Sequence, residues 1–560
     1  MQTDLSRRLA HLREAALAAV KPLAEPHPVF TFFFSVSDGH ERARVIRATG
    51  DSADACWKAG EERIRDVMEK RGLRGRWLRV DWVTAVRPMT VGELRERLAR
   101  HKRNYFRQGI AFDPKFQTSF LEQELNANAM LYGGNKIAHA VINPGNFAKY
   151  VRRRYGADRT VDLSDAAPAF VLSTEGLFCG EDGTVHRLPG PGRNAGRRII
   201  ERLELDDIEG LIRDASKFLS RQVLEHGRFV YGLHPCFNRE IPAYNALRHA
   251  STTYSMIEAW EVTNDGDLKN SIDRALAYLR GTLIRPARLP DGTDAAFVVE
   301  ANGEIKLGAN AVAILALAKH ATLTGSTADY DLMRQLALGI RHMQNQEDGS
   351  FVHVLSYPDL RVKDPFRVIY YEGEAAFGLM RLYSLTQDPR WIETVEKAFG
   401  HFIRSEHWRH NDHWLSYCVN ELTRFRPEER YFRFGIQNVA GHLDFVLERI
   451  TTFPTLLELM MAAREMLERI RTMPEMQHLL EEIDLDKFYR ALEFRAHYLL
   501  NGHFWPELAM YFAHPDSIVG SFFIRHHAFR VRIDDVEHYL SGYVAYRKYR
   551  VAKQQEESRN

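Results

Sequence analysis

Twelve segments with a helical spacing of apolar residues follow one another between residues 206 and 549. Taken in order they form six consecutive helix pairs, and six pairs that close into a ring bury one helix of each pair at the centre. We therefore predict a mainly α fold: an (α/α)6 toroid of six helical hairpins over residues 200–552, preceded by a smaller α+β domain. The segments are 206–224, 245–263, 267–281, 308–324, 327–345, 373–386, 388–404, 412–424, 428–449, 453–471, 485–500 and 533–549.

Alternate segments differ in character. Residues 308–318 are small and apolar almost all round, which is typical of a helix buried on every side. Residues 391–399 have a single apolar stripe with charged residues opposite, as a solvent-facing helix has. The sequence therefore predicts an inner ring of buried helices and an outer ring around it.

The connections between helices are of two kinds. Short turns such as 324–326 and 386–389 carry Gly or Asp-Pro, which end one helix and start the next. The opposite connections are longer and hold most of the aromatic, histidine and acidic residues. Functional groups gather on loops that a rigid scaffold holds, so we expect the site at the long-loop end of the ring. The long connections are 225–244, 282–307, 346–372, 405–411 and 501–532.

The first third of the chain has a different pattern. Residues 28–49 contain two β-rich runs around Asp38-Gly39, which predicts a hairpin. A helix is predicted over 52–71 and a strand over 77–83, followed by helices as far as Met130. We assign residues 1–190 to an α+β amino-terminal domain whose role the sequence does not indicate.

Residues 185–200 concentrate Gly, Pro and Arg, as surface connections do. Three glycines and Arg197-Arg198 also offer groups for a phosphate, but their spacing is neither a Walker loop nor a dinucleotide fingerprint. We favour a plain linker and place the domain boundary here. The toroid that follows is the predicted catalytic domain.

The charge balance and the cysteines limit the partners. Lys and Arg total 76 against 74 for Asp and Glu, so the net charge of +2 provides no bulk field for nucleic acid or an anionic membrane. The four cysteines lie far apart without a C-x-x-C pair, which argues against disulfides and a cysteine zinc site. Charges interrupt the first 24 residues, and no apolar run reaches membrane-spanning length. We expect a cytoplasmic protein without nucleic-acid binding or membrane insertion.

Polar clusters precede or open five of the six predicted inner helices, so ring closure would gather them in one cavity. Glu372 and Glu374 fall in the first helical turn, where a carboxylate is favoured electrostatically. Tyr370 and Tyr371 directly before them suit sugar recognition, with ring faces against sugar C–H groups. We predict the two glutamates to be catalytic and the two tyrosines to bind substrate, although one glutamate could simply be an N-terminal acid.

Residues 407–414 offer three imidazoles and a carboxylate, which are ligand types for zinc or another divalent ion. Their spacing matches no metalloprotease pattern, and His413 could equally serve as a general acid or base. We predict His413 to be catalytic and Trp414 to bind substrate, with no metal and no cofactor.

Two further clusters open the last and the first inner helix. At the carboxy terminus we expect Asp534 or Asp535 to cap the helix, and we predict Asp535 and His538 to be catalytic. Arg530 and Arg532 suit two-pronged recognition of a substrate carboxylate or phosphate, which favours an acidic sugar. Before the first inner helix, we predict a substrate-binding role for Arg248 and a catalytic role for His249.

Four stretches resemble the six-hairpin toroid superfamily of N-acylglucosamine 2-epimerases, unsaturated glucuronyl hydrolases and uronyl epimerases. They are RHASTTYSMIEAWE (248–261), EIKLGANAVAILALAKH (304–320), YYEGEAAFGLMRLY (370–383) and RVRIDDVEHYLSGY (530–543). The resemblance covers about residues 200–550 and matches no complete catalytic signature of one member. It implies the ring, a pocket at the inner-helix starts and sugar substrates.

The leading hypothesis is an intracellular carbohydrate-active enzyme, a glycoside hydrolase or a sugar epimerase, that acts on an acidic or N-acyl sugar or oligosaccharide by acid and base groups. Epimerisation needs a proton removed and returned, which suits histidines. Hydrolysis needs two carboxylates, which would be drawn from Glu372, Glu374, Asp534 and Asp535. The alternative is a non-catalytic glycan-binding component of a polysaccharide or cell-envelope biosynthesis system, whose amino-terminal domain binds a protein partner. A toroidal cyclase with a cysteine and histidine zinc site is less favoured, because only Cys418 lies near suitable histidines.

Overall fold

The computed structural model describes residues 2–190 and 192–559. The amino-terminal part is built on one seven-stranded antiparallel sheet with the order β2-β1-β3-β6-β4-β5, in which β7 pairs with β6. Its elements are α1 Gln2–Ala19, β1 Phe30–Ser37, β2 Arg44–Gly50, α2 Ala53–Arg71, β3 Trp77–Thr90, α3 Val91–Ala99, β4 Gly109–Ala111, β5 Ser119–Phe120, α4 Glu122–Ala127, α5 Pro144–Tyr155, β6 Pro168–Cys179 and β7 Val185–Leu188.

The predicted hairpin forms, with β1 and β2 in register from Phe30 opposite Gly50 to Val36 opposite Arg44. The predicted strand over 77–83 is longer than expected and reaches Thr90, because β6 pairs along its whole length apart from a bulge near Val83. The continuous run of helices expected as far as Met130 is wrong, since β4 and β5 intervene. These two strands have only three and two residues, too few for a period-2 pattern to be seen.

The remaining chain is mainly helical. Its helices are α6 Leu205–Gln222, α7 Ala246–Thr263, α8 Gly266–Tyr278, α9 Leu307–Thr324, α10 Tyr330–His342, α11 Tyr371–Thr386, α12 Pro389–Arg404, α13 His413–Leu422, α14 Glu429–Ala440, α15 Leu443–Glu448, α16 Thr455–Arg471, α17 Leu485–Tyr498, α18 Pro506–Ala509 and α19 Ile533–Glu557. Short strands lie in the connections: β8 Gly232–His234, β9 Arg239–Glu240, β10 Ile284–Arg288, β11 Asp294–Val298, β12 Glu304–Lys306, β13 Val354–Ser356, β14 Val362–Asp364 and β15 Val531–Arg532.

The helices form two concentric rings. Each inner helix packs against the next in the order α7, α9, α11, α13, α16, α19, and α19 packs back against α7, so the inner ring is closed. Helices α6, α8, α10, α12, α14 and α17 pack around it. The predicted helix over 428–449 is divided at Gly441 and His442 into α14 and α15. The predicted toroid is therefore what the helix contacts show.

Helix α9 shows why the inner ring must be buried. Every residue from Leu307 to Ala318 is buried, and neighbouring inner helices cover the helix on both sides. Its 18 residues have a mean hydropathy of 1.2, enough in length and composition for a membrane span, but 72% of that window lies inside the protein. Its apolar surface is accounted for by the packing of the ring.

The sheet is fastened to the ring by buried charged groups. Arg79 and Asp81 of β3 form an ion pair at 2.7 Å with both side chains almost fully buried, and Arg79 also donates to the carbonyl of Glu507 at 2.8 Å. Arg198 forms a salt bridge with Glu507 at 2.8 Å. The glycine-rich segment before the ring is therefore docked rather than a free linker, and Arg197 and Arg198 are turned inwards. The domain boundary at 190–200 stays a prediction.

Candidate functional site

A cavity of about 400 Å³ lies where the inner helices begin. The starts of α7, α11, α13, α16 and α19 line it, together with the connection that precedes α19. Ring closure thus brings together ten of the twelve predicted site residues. They are Arg248, Tyr370, Tyr371, Glu374, His413, Trp414, Arg530, Arg532, Asp535 and His538.

His249 does not line the cavity, although we predicted it to be catalytic. Its side chain is fully buried between α7 and α8, with Nδ1 at 2.8 Å from the hydroxyl of Tyr244 and Nε2 at 2.9 Å from the carbonyl of Ala275. Burial lowers its pKa to about 4. Both ring nitrogens have protein partners, so His249 is a neutral packing residue without access to a substrate.

Glu372 also lies outside the cavity. Residues two positions apart on a helix point about 200° apart, so Glu372 and Glu374 cannot share one face. Glu374 faces the cavity, whereas a carboxylate oxygen of Glu372 lies 3.4 Å from Nε2 of His407 in the connection before α13. The expected pair of cavity carboxylates at this helix start does not form.

His538 is held between two carboxylates. Its Nδ1 lies 2.8 Å from Oε2 of Glu458 on α16 and 3.7 Å from Oε1 of Glu537. Ser251 donates a hydrogen bond of 2.6 Å to Glu537 from the facing helix α7. Burial alone would lower the pKa of His538, but the charges of Glu537 and Glu458 outweigh it and raise that pKa to about 10. His538 is therefore an imidazolium at neutral pH.

His413 has the opposite protonation state. Burial, with the cation of His538 nearby, lowers its pKa well below the usual value. The centroids of the two imidazole rings lie 5.4 Å apart with the rings nearly perpendicular. Nδ1 of His413 lies 3.5 Å from Oδ1 of Asp412, and Nε2 is buried without a hydrogen-bond partner in the described chain. A neutral base and a cationic acid thus stand side by side in the cavity.

Glu374 reaches the same region because two glycines make room. A Cβ on Gly308 of α9 would lie only 1.6 Å from Oε2 of Glu374, and a Cβ on Gly373 would lie 2.4 Å from Oδ2 of Asp412. The starts of three neighbouring inner helices can approach closely only without these side chains. Burial, together with the charges of Asp412 and Glu537, raises the pKa of Glu374 well above its usual value. Glu374 is therefore a neutral carboxylic acid that can donate a hydrogen bond.

The predicted arginines are engaged with acids of their own cluster. Arg248 forms a salt bridge with Asp534 at 2.8 Å. Arg530 donates two hydrogen bonds of 3.0 Å to Asp535. Arg532 lies between the two acids, 2.8 Å from Asp534 and 3.3 Å from Asp535. Although burial opposes it, Arg532 and Arg530 hold the pKa of Asp535 below its usual value. Asp535 is thus a charged partner of arginines, which gives it a structural task besides the predicted catalytic one.

Three residues that we did not predict belong to the site. Glu458 lies within the apolar run Leu456–Ala463, where a charged residue in the middle of a buried helix was the available signal. Glu537 directly precedes His538. Arg449 lines the cavity with its guanidinium over the ring of Phe453 at 4.7 Å, and no carboxylate of a described residue lies within ion-pairing distance of it.

Two groups of ligand-type side chains in the described residues come close enough to hold a metal ion. One is His413, Glu458 and His538 in the cavity, and the other is Glu372, His401 and His407 outside it. In the cavity group, the 2.8 Å between His538 and Glu458 is a hydrogen-bond distance. Two ligands of one tetrahedral zinc lie about 3.4 Å apart, given bonds of about 2.0–2.1 Å. The cavity group therefore shares a proton.

Comparisons with known proteins add a set of distant structural similarities. No family model matches the chain, and no curated protein sequence matches it. D-mannose isomerase is 12% identical over 62% of this chain and 100% of its own, with a TM-score of 0.47. Cellobiose 2-epimerase from Bacillus thermoamylovorans is 12% identical over 61% of this chain and 100% of its own, also at 0.47. The α-1,6-mannanase of Salegentibacter sp. is 12% identical over 60% and 98%, at 0.40. These similarities are too low to assign an activity.

Proposed function

We propose that the protein is a carbohydrate epimerase or isomerase that moves a proton at a carbon next to a carbonyl, with His413 and His538 as the proton-transferring pair. The observation that carries the proposal is the opposite protonation of two imidazoles whose ring centroids lie 5.4 Å apart in one cavity. Two titratable groups whose surroundings drive their pKa values apart are the usual mark of a base and an acid.

The steps follow from the protonation states. Neutral His413 takes the proton from the C–H next to the carbonyl through Nε2, and the electron pair moves to the carbonyl oxygen as an enolate. Neutral Glu374 donates a hydrogen bond to that oxygen. The imidazolium of His538 then gives a proton to carbon. Return to the neighbouring carbon isomerises the sugar. Return to the opposite face of the same carbon inverts that centre and requires the two imidazoles, which now contact each other, to separate around the substrate. No oxidant is consumed, and the pair regains its protonation by exchange with water.

Hydrolysis has less support. A glycosidase needs two carboxyl groups across the scissile bond, one as the acid and one as the base or nucleophile. Of the four carboxylates that we considered for this role, Glu372 lies outside the cavity, and Asp534 and Asp535 are bound to arginines. Glu374 then has no free partner among them.

A sugar as the substrate is supported by the lining of the cavity and by the resemblance of four sequence stretches to the six-hairpin toroid superfamily. Tyr370, Tyr371, Trp414 and Phe453 offer ring faces for sugar C–H groups. An acidic sugar is supported by Arg449, whose charge is free to meet a carboxylate, rather than by the paired Arg530 and Arg532. A cytoplasmic location stays a prediction.

The experiment is to incubate the protein in heavy water with reducing uronic-acid, N-acyl and neutral oligosaccharides, followed by mass spectrometry and proton NMR. We expect a gain of one deuterium at the carbon next to the carbonyl without cleavage. Shorter products would instead indicate a glycosidase. Binding without deuterium uptake across the panel would favour the non-catalytic glycan-binding component.

A further inference from the structure

The cluster of Glu372, His401 and His407 lies where three segments meet. Glu372 is the second residue of inner helix α11, His401 lies in the last turn of outer helix α12, and His407 belongs to the 3-10 turn His407–His410. One ligand atom from each of the three lies within 4.8 Å of the others. None of the three lines the cavity, so the proposed reaction does not use them.

Glu372 is the acidic member of the cluster. The carboxyl group of Glu372 is almost completely buried, and the one basic side chain of the described chain within ion-pairing distance of it is His407. Apart from His407, no basic group of a described residue meets this buried carboxyl group, so a cation here would complete its contacts.

We propose that Glu372, His401 and His407 bind a divalent transition-metal ion, with zinc as the ion best suited to this ligand set. Two imidazoles and one carboxylate are ligands that zinc accepts, and neutral imidazole is the form that binds a metal. The 3.4 Å between Nε2 of His407 and Glu372 equals the ligand-to-ligand distance of about 3.4 Å in a tetrahedral zinc site. Rotation of the half-buried His401 side chain would bring it to the third coordination position of the ion, and a water molecule would take the fourth.

The position of the ion indicates what it does. It ties the start of α11 to the end of α12 and to the connection that leads into α13. The same turn of α11 carries Glu374, and this connection ends at Asp412, the N-cap of α13 directly before His413. The ion would be a structural metal that holds these three segments together outside the cavity. It stands independently of the sugar chemistry, because none of its ligands touches the substrate cavity.

The test measures zinc in the purified full-length protein and after removal and re-addition of the metal. We expect one zinc per chain by elemental analysis and a saturable rise of the thermal midpoint when zinc is returned. Cobalt in place of zinc should give the visible absorption of a tetrahedral site. Glu372→Gln and the conservative, half-buried His401→Gln should each lower zinc affinity at least tenfold.

Two control variants separate this site from other histidines. His413→Ala removes a member of the cavity group, and His320→Ala removes a partly buried histidine of α9 outside both groups. Both should retain one zinc per chain. The proposal is overturned if the wild-type protein takes up no zinc at micromolar concentration. It is equally overturned if zinc is lost in His413→Ala and kept in Glu372→Gln.

Discussion

Nδ1 of His538 on α19 lies 2.8 Å from Oε2 of Glu458 on α16, the neighbouring helix of the inner ring. Together with Glu537, this contact keeps His538 charged in a buried setting where an isolated imidazole would be neutral. The cavity therefore has a proton donor at neutral pH next to the neutral His413. The acid and the base of the proposed reaction are set by their neighbours rather than by residue type.

Glu537→Gln should move the alkaline limit of activity to lower pH. The pKa of His538 is about 10 in the folded protein, so His538 stays charged until the pH approaches 10. The stability that this charge contributes is complete below about pH 6.5, the pKa of an unfolded histidine, and is lost as pH rises through about 10. Removal of one neighbouring anion lowers the pKa of an imidazolium by about 1–3 units. The measurement is kcat/KM against pH. Glu261→Gln, which removes a glutamate at the far end of α7, should leave the limit in place.

His413→Ala and His538→Ala should each abolish deuterium uptake into the sugar. Loss of a general acid or base reduces rates by about 10²–10⁴-fold. The thermal midpoint should change little for His413→Ala, because neither ring nitrogen donates or accepts a hydrogen bond among the described contacts. His442→Ala, a half-buried histidine away from the cavity, is the matched control. Full deuterium uptake in either cavity variant would exclude the proposed pair.

Gly308→Ala should damage the site from outside it. The added Cβ would lie 1.6 Å from Oε2 of Glu374 and 3.0 Å from the ring of Tyr371, so Glu374 must move. We expect a fall of kcat by at least tenfold and a loss of about 1–3 kcal/mol in unfolding free energy from overpacking. The control is Gly210→Ala in α6, where a Cβ meets nothing within 4 Å and the alanine should slightly stabilise the helix. Equal activity of both variants would contradict the close approach.

Arg449→Ala should change selectivity rather than the chemistry. A charge-assisted hydrogen bond to a substrate carboxylate contributes about 1.5–3 kcal/mol, so KM for a uronic-acid substrate should rise by about tenfold or more. KM for a neutral sugar of the same size should stay within about twofold. Arg433→Ala, which removes a surface arginine paired with Glu429, is the control. An equal rise of KM for charged and neutral sugars would show that Arg449 supports the loop rather than the substrate.

Arg79→Met should strongly destabilise the whole chain. It leaves Asp81 charged and buried at the contact between the sheet and the ring, which costs about 3–5 kcal/mol. The double variant Arg79→Met with Asp81→Leu removes both charges and should recover much of this loss. Chemical denaturation with far-UV circular dichroism gives both values. An Arg79→Met protein as stable as the wild type would mean that the sheet adds little to the stability of the ring.

The helix pairs were predictable because each inner and outer helix has its own apolar pattern, which extends over ten or more residues. Helix α9, apolar all round, and helix α12, with one apolar stripe, differ enough to assign each to its ring. The short strands β4 and β5 were not predictable, because they exist only through their pairing with β6 and with each other. The docking of Arg197 and Arg198 depends on residues some 300 positions further on.

The site was predictable at the level of clusters and not of single side chains. The starts of the inner helices do converge, as their polar residues indicated. The direction of each side chain depends on its position in the helical turn. Glu372 and Glu374 are two positions apart, so they point to different sides of α11. The ion pair of Arg530 with Asp535 could not be predicted either, because the sequence does not show which side chain each of them contacts. Glu458 was missed because its sequence neighbours are apolar, and its contact with His538 forms only when α16 packs against α19.

The contact of α19 with α7 joins the two ends of the helical part of the chain, and the residues that make this seam also build the cavity. Ser251 holds Glu537, and Arg248 holds Asp534, across a separation of almost 300 positions. The acid of the proposed pair, His538, lies on the helix that closes the ring. A ring with α19 undocked would therefore be inert, and fraying of this one helix would silence the protein before the other hairpins had melted.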